Sequence, residues 1–199
     1  MIKIGNNLSK FSNYSCQPTS KEELATIIDL RITKEGHNCN LNDIDVSKID
    51  DMGYLFADLK FNGNISNWDV SNVTNMIGLF YRSPFNGDIS NWNVSKAVDM
   101  SFMFFNSKFN QDISRWNVRN VKDMFFMFSL SDFNQPIGNW NVSNVESMYN
   151  IFDESKFNQD ISNWDISNVR DASSMFNKCN ISENHKPKTI FGYDDSYDM

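Results

Sequence analysis

The sequence predicts an α/β repeat solenoid in which each 24-residue unit supplies one short parallel strand and one short helix or 3-10 segment, with a helix capping the N-terminal end. Two observations carry this prediction. Trp68, Trp92, Trp116, Trp140 and Trp164 are all the tryptophans in the 199-residue chain, and each stands 24 residues from the next. Around each lies one recurring phrase, written first as Phe61-Asn62-Gly63-Asn64-Ile65-Ser66-Asn67-Trp68-Asp69-Val70-Ser71-Asn72-Val73 and carried through Met76, Leu79 and Phe80 to Phe85. A unit this short cannot bury its own apolar face, so it must stack on its neighbours.

Taken in order, residues 1–18 are polar, rich in Asn and Ser and aperiodic, and read as a weakly ordered leader. Ser20 to Glu23 has the pattern of a capping box, in which a hydroxyl and a carboxylate satisfy each other's backbone donors at a helix start. Leu24, Ile27 and Ile28 then fall on one face and Gly36 is placed to stop the helix, so 19–36 is the expected N-terminal cap. Residues 37–181 are expected to hold six units. The first, 37–60, is diverged: Leu41, Ile44, Val46, Ile49, Met52 and Phe56 align with Ile65, Trp68, Val70, Val73, Met76 and Phe80. Within a unit, Ile65, Trp68 and Val70 have the I-x-x-W-x-V spacing of a leucine-rich-repeat core, where the last two alternate as a strand. Val73, Met76, Leu79 and Phe80 follow at steps that share one helical face. Residues 182–199 are charged and aperiodic, a C-terminal tail or flap.

The bulk numbers exclude several classes. A net charge of -7 and a pI near 4.8 repel polyphosphate, so no nucleic-acid partner is expected. Cys16, Cys39 and Cys179 are odd in number and scattered, which writes neither a disulfide framework nor a zinc site. No signal peptide and no membrane span is visible, so the chain reads as soluble and cytoplasmic as encoded, or as secreted or surface-displayed if a leader was removed. With two histidines, His37 and His185, and no nucleophile elbow or phosphate loop, no enzyme, cofactor or metal is expected.

Two ladders recur. Asn62, Asn86, Asn110, Asn134 and Asn158 form an unbroken column able to satisfy turn groups. Asp88, Asp112 and Asp160 share a slot with Asn64 and Pro136, a break that favours turn capping over a calcium column. Function in an array is sought where stacking leaves positions free to vary. On the expected sheet face the middle row alone carries two arginines, so Arg115, Asn117 and Arg119, with Asn93 and Asn141 on flanking rows, form one candidate partner site. On the expected helix face Tyr81, Phe102, Phe105, Phe125, Phe126 and Tyr149 form another, either a protein contact or a self-association surface.

The phrase Phe-Asn-Gln-Asp-Ile-Ser-x-Trp-x-Val-x-Asn-Val-x-x-Met-x-x-Met-Phe, clearest at 109–128, resembles the BspA-like leucine-rich repeat family of bacterial surface proteins, whose repeat is also abundant in mycoplasma lipoproteins. Lys21 to Leu24 and the unit entered at Leu41 also look like that family's usual start. The resemblance implies surface display and adhesion or host-protein binding. The function expected is a non-enzymatic protein-binding repeat protein, an adhesin or partner-recognition module. The alternatives are an intracellular interaction protein, such as a toxin-neutralising or toxin-delivery partner, and a carbohydrate-binding protein using the Asn-rich face.

Overall fold

A computed structural model describes residues 17–188. Helix α1 spans Lys21–Glu35. Its first turn is closed by the Glu23 amide donating to Ser20 Oγ at 3.2 Å, while the Glu23 carboxylate accepts the Thr19 amide at 2.9 Å and the Thr19 hydroxyl at 3.3 Å. The carboxylate thus reaches back one residue further than a reciprocal capping box requires. Gly36 ends α1 at φ 87°, donating its amide to the Ile32 carbonyl at 2.8 Å. Leu24, Ile27 and Ile28 are buried and belong to the same apolar cluster as the repeats.

Beyond α1, the α/β solenoid expectation is overturned. Among the described residues the only other helix is a single 3-10 turn, Glu183–His185. Among the described residues no strand or sheet is present, and β-type pairing between units is limited to isolated parallel bridges such as Asn75 with Asp99 and Asp123 with Ser147. The leucine-rich-repeat strand fails because its backbone folds into two tight turns: the Trp68 amide donates to the Ile65 carbonyl at 3.2 Å, and the Val73 amide to the Val70 carbonyl at 2.9 Å. Ser66-Asn67 and Ser71-Asn72 occupy the turn centres, where short polar residues are favoured. The amides a strand would lend to its neighbour are consumed locally.

The expected helix fails for a related reason. From Met76 onward alternate amides take different partners. Leu79, Tyr81 and Ser83 donate to the carbonyls of Met76, Gly78 and Phe80 in their own unit, whereas Met76, Gly78, Phe80 and Arg82 donate to Asp99, Ser101, Met103 and Phe105 in the next unit at 2.8–2.9 Å. An α-helix would send every amide back along its own chain. Left-handed residues recur at fixed places in this ribbon, at Tyr54, Gly78, Phe102 and Phe126 and again at Asp58, Arg82, Asn106 and Leu130, and a helix of L-residues excludes them.

Units therefore stack in 24-residue register through turn ribbons rather than a sheet. Three aromatic columns fill the interior. Trp68 stacks on Trp92, Trp116 on Trp140 and Trp140 on Trp164, each at 6.5 Å and within 4° of parallel. Phe56, Phe80, Phe104, Phe128, Phe152 and Phe176 form a second column at 5.6–5.9 Å. Phe61, Phe85, Phe109, Phe133 and Phe157 form a third at 6.0–6.3 Å. Each indole also finds a polar partner: Trp116 Nε1 donates to the Ile89 carbonyl and Trp140 Nε1 to the Ile113 carbonyl, both at 3.1 Å.

Polar ladders flank these columns. Asn62, Asn86, Asn110 and Asn134 each accept, at Oδ1, the amide of the asparagine one unit on at 2.8–2.9 Å, and Asn158 accepts the Ser182 amide. Gln135 Nε2 adds a second donor to Asn110 Oδ1 at 3.1 Å. Asn110→Ala strands the Asn134 amide, so it should lower stability by about 1–3 kcal/mol. Urea titration followed by tryptophan fluorescence checks this, and an unchanged midpoint contradicts it. A second ladder donates Nδ2 of Asn72, Asn120, Asn144 and Asn168 to carbonyls of the preceding unit at 2.7–2.8 Å.

The last unit is covered in part by 182–188: the Ile161 amide donates to the His185 carbonyl at 2.9 Å, and Lys186 Nζ lies 5.5 Å from the centre of the Phe176 ring. The expected leader falls outside the described residues except for Gln17 and Pro18, as do residues 189–199 of the expected tail. No helix among the described residues is long and apolar enough to cross a membrane.

Candidate functional site

The turns at Ile65–Trp68 and Val70–Val73, repeated in every unit, make one face of the stack, so the candidate "sheet face" is a face of turns. Arg115, Asn117, Arg119, Asn93 and Asn141 are all exposed on it. The asparagines have structural duties. Asn93, Asn117 and Asn141 accept, at Oδ1, the amides of Ser95, Arg119 and Ser143 at 3.2–3.3 Å. One acceptor site of each oxygen is thereby used within the turn. Asp88, Asp112 and Asp160 cap their turns in the same way, each accepting a serine amide at 2.8–2.9 Å. Those bonds hold the three carboxyls below the usual carboxylate range, and for Asp112 the nearby Arg115 charge acts in the same direction.

The arginines differ from one another in a way sequence does not show. Arg31 pairs with Glu35 and Asp43, Arg82 with Asp58, and Arg170 with Glu146. Among the described residues Arg115 and Arg119 enter no ion pair, although both lie in the central unit of an acidic chain.

The turn ribbon from Met76 onward, with its equivalents, makes the second face. It replaces the expected "helix face", yet it brings all six candidate aromatics into one continuous lane. Tyr81 stacks on Phe105 at 5.0 Å and Phe102 on Phe126 at 5.2 Å, while Phe125 meets Phe126 edge-on at 4.6 Å and stacks on Tyr149 at 5.4 Å. The left-handed backbone at Phe102 and Phe126, φ 57° and 54°, breaks the helical sidedness on which the expectation rested. All six rings are half-buried, and Tyr54, 51% exposed, extends the lane at 6.1 Å from Tyr81. Tyr54 escaped the sequence reading because its unit is the diverged one. Along one margin run Asp58, Arg82, Asn106, Leu130, Glu154 and Lys178, closed at the ends by Asp58–Arg82 at 3.3 Å and Glu154–Lys178 at 2.9 Å.

Elsewhere the surface is shallow and polar. A hollow of about 170 Å³ is lined by Lys122, Asn144, Glu146, Asn168 and Arg170. Glu146 bridges its two cations at 2.9 and 3.2 Å, and the hydrogen bond from Lys122 keeps its carboxyl low. Another hollow, of about 380 Å³, opens where Gly63 and Gly87 stand in the slot from which Gln111, Gln135 and Gln159 reach back to the asparagine ladder. Cys39 is buried and Cys179 half-buried, and burial pushes both thiols up, away from reactivity.

No curated protein and no solved structure matches the chain. A family model described as "Mycoplasma protein of unknown function, DUF285" matches residues 30–132 and 110–188, which together take in every stacked unit. The repeat-family part of the expected resemblance is thereby shown; its BspA-like leucine-rich-repeat part is not, in keeping with the missing strands. The chain belongs to this Mycoplasma DUF285 family, a repeat-containing family of unknown function.

Proposed function

We propose that this chain is a non-enzymatic protein-binding module, a partner-recognition or adhesion surface, that grips an acidic segment of its partner at Arg115 and Arg119. The observation supporting the reading is that, among the described residues, these two guanidinium groups enter no ion pair, on rows where the other tryptophan-bearing units carry Asn or Ser. A forked guanidinium matches carboxylate geometry through two parallel donors. The central unit is held from both sides by the Phe109 ring stacked between Phe85 and Phe133 and by the asparagine ladder, so little ordering of the chain accompanies binding. With a net charge of -7 the attraction is local to these arginines, and salt weakens it once the screening length falls below about 10 Å.

The test is pull-down of binding partners by the wild-type chain and by Arg115→Glu/Arg119→Glu, with captured proteins identified by mass spectrometry. The double variant should retain its thermal midpoint while capture of acidic partners falls at least about tenfold, equivalent to roughly 1.4 kcal/mol. Equal capture by both chains would refute the assignment.

A further inference from the structure

We propose that the ribbon edge left open at the last unit is a docking site for residues 189–199 of this same chain, which close the stack as a reduced seventh unit. In the unit before it, the alternate ribbon amides are taken by the unit that follows: Met148, Asn150 and Phe152 donate to the carbonyls of Asp171, Ser173 and Met175 at 2.9–3.1 Å. One unit on, the amides of Ala172 and Ser174 donate to no carbonyl among the described residues, and Ser174 is exposed. The apolar interior is uncovered at the same place. Val169 and Ala172 are half-buried, whereas Val145 and Met148, which hold their slots one unit earlier, are 0% exposed. An edge of this kind is a template for an extended segment.

Register names the occupant. The segment 182–188 already keeps the 24-residue interval, since the Ser182 amide donates to Asn158 Oδ1 at 2.8 Å and the Ile161 amide to the His185 carbonyl at 2.9 Å. Lys188 stands in the tryptophan slot, which hides the repeat, yet the residues beyond it refill other slots. Ile190 and Tyr193 follow Ile166 and Val169, and Met199 follows Met127, Ile151 and Met175. Asp195 follows Asp99, Asp123 and Asp171 in the slot whose Oδ1 accepts the amide two residues on. Asp198 follows Asn150 and Ser174 in the left-handed slot, φ 55° and 52°, which short polar residues tolerate. Charge agrees with register. Lys122, Glu146 and Arg170, each one unit from the next, are paired at 2.9 and 3.2 Å, and Asp194 continues the alternation. In this pairing the Asp195 and Tyr197 carbonyls receive the Ala172 and Ser174 amides, and the aspartates give the stack the polar outer end that a terminal repeat requires.

Amide hydrogen exchange read by NMR tests the closure, on the full chain and on a chain ending at Lys188. The Phe126 amide, bonded to the Tyr149 carbonyl in mid-stack, serves as the reference for folding. Ala172 and Ser174 should exchange at least about a hundredfold more slowly in the full chain than in the shortened one, with Phe126 equally protected in both. One glycine inserted between Gly192 and Tyr193 leaves every native residue in place but shifts each later slot, so it should expose the two amides as fully as truncation does. Asp194→Lys, which sets a second cation beside Arg170, should weaken the protection. Fast exchange of both amides in the full chain overturns the proposal, as does protection that survives the glycine insertion. Protection that rises with protein concentration would seat a second copy on the edge and overturns it too. The arginine pair of the proposed function lies two units away, so Arg115→Glu/Arg119→Glu should leave these amides unchanged and the two readings can fail separately.

Discussion

Trp116→Ala should lower stability by about 3–5 kcal/mol, a large part of the roughly 5–15 kcal/mol that holds an ordinary domain together. Three losses combine at this position. The indole is 4% exposed in the middle of the stack, so its removal leaves a cavity with structure fixed on both sides. It gives up stacking on Trp140 at 6.5 Å and the tilted contact with Phe104 at 6.4 Å. It also removes the indole donor to the Ile89 carbonyl. That last loss is the smallest, because the Ile89 carbonyl still accepts the Trp92 amide at 3.1 Å. Trp116→Phe, which keeps a ring in the column, should therefore cost much less than the alanine variant. Urea denaturation of the two variants side by side separates these contributions, and equal midpoints would mean that the ring column contributes little.

Much of the architecture was legible because buried aromatics report periodicity directly. The interval between Trp68 and Trp92 in sequence is the interval of their contact in space. The asparagine column at Asn62 to Asn158 was visible for the same reason, and its amides do serve the neighbouring backbone. Backbone hydrogen bonding was not legible. The spacing of Ile65, Trp68 and Val70 is equally compatible with a strand and with a chain that turns at 65–68 and again at 70–73, since side-chain pattern is silent about where each amide points. Met76, Leu79 and Phe80 presented the same ambiguity, and the left-handed slot that decides it is filled by Tyr54, Phe102, Phe126 and Asn150 as well as by Gly78.

The candidate sites divide along the same line. Sequence placed Arg115 and Arg119 at variable positions and gathered the six lane aromatics, because variable slots can be read from an array. It could not separate these arginines from Arg82 and Arg170, whose partners Asp58 and Glu146 lie one unit away in the stack. Pairing across units is a property of register.

The most direct test of register stacking is to remove chain in whole and half units. Deleting residues 109–132 takes out one 24-residue unit and returns Phe133 to the slot after Lys108, so the third phenylalanine column, the asparagine ladder and the indole column reconnect across the cut. Stability in a stack is close to a sum over units and their nearest-neighbour contacts, so this variant should unfold cooperatively with its tryptophans still buried and its Tm within a few degrees of the full chain. Deleting 115–126 removes half a unit, sets every later ring on the wrong side of the stack and should expose Trp140 and Trp164 to water. Circular dichroism melts with tryptophan emission read both outcomes. A folded half-unit deletion, or a whole-unit deletion that melts no better than the half-unit one, would contradict the stacked interior.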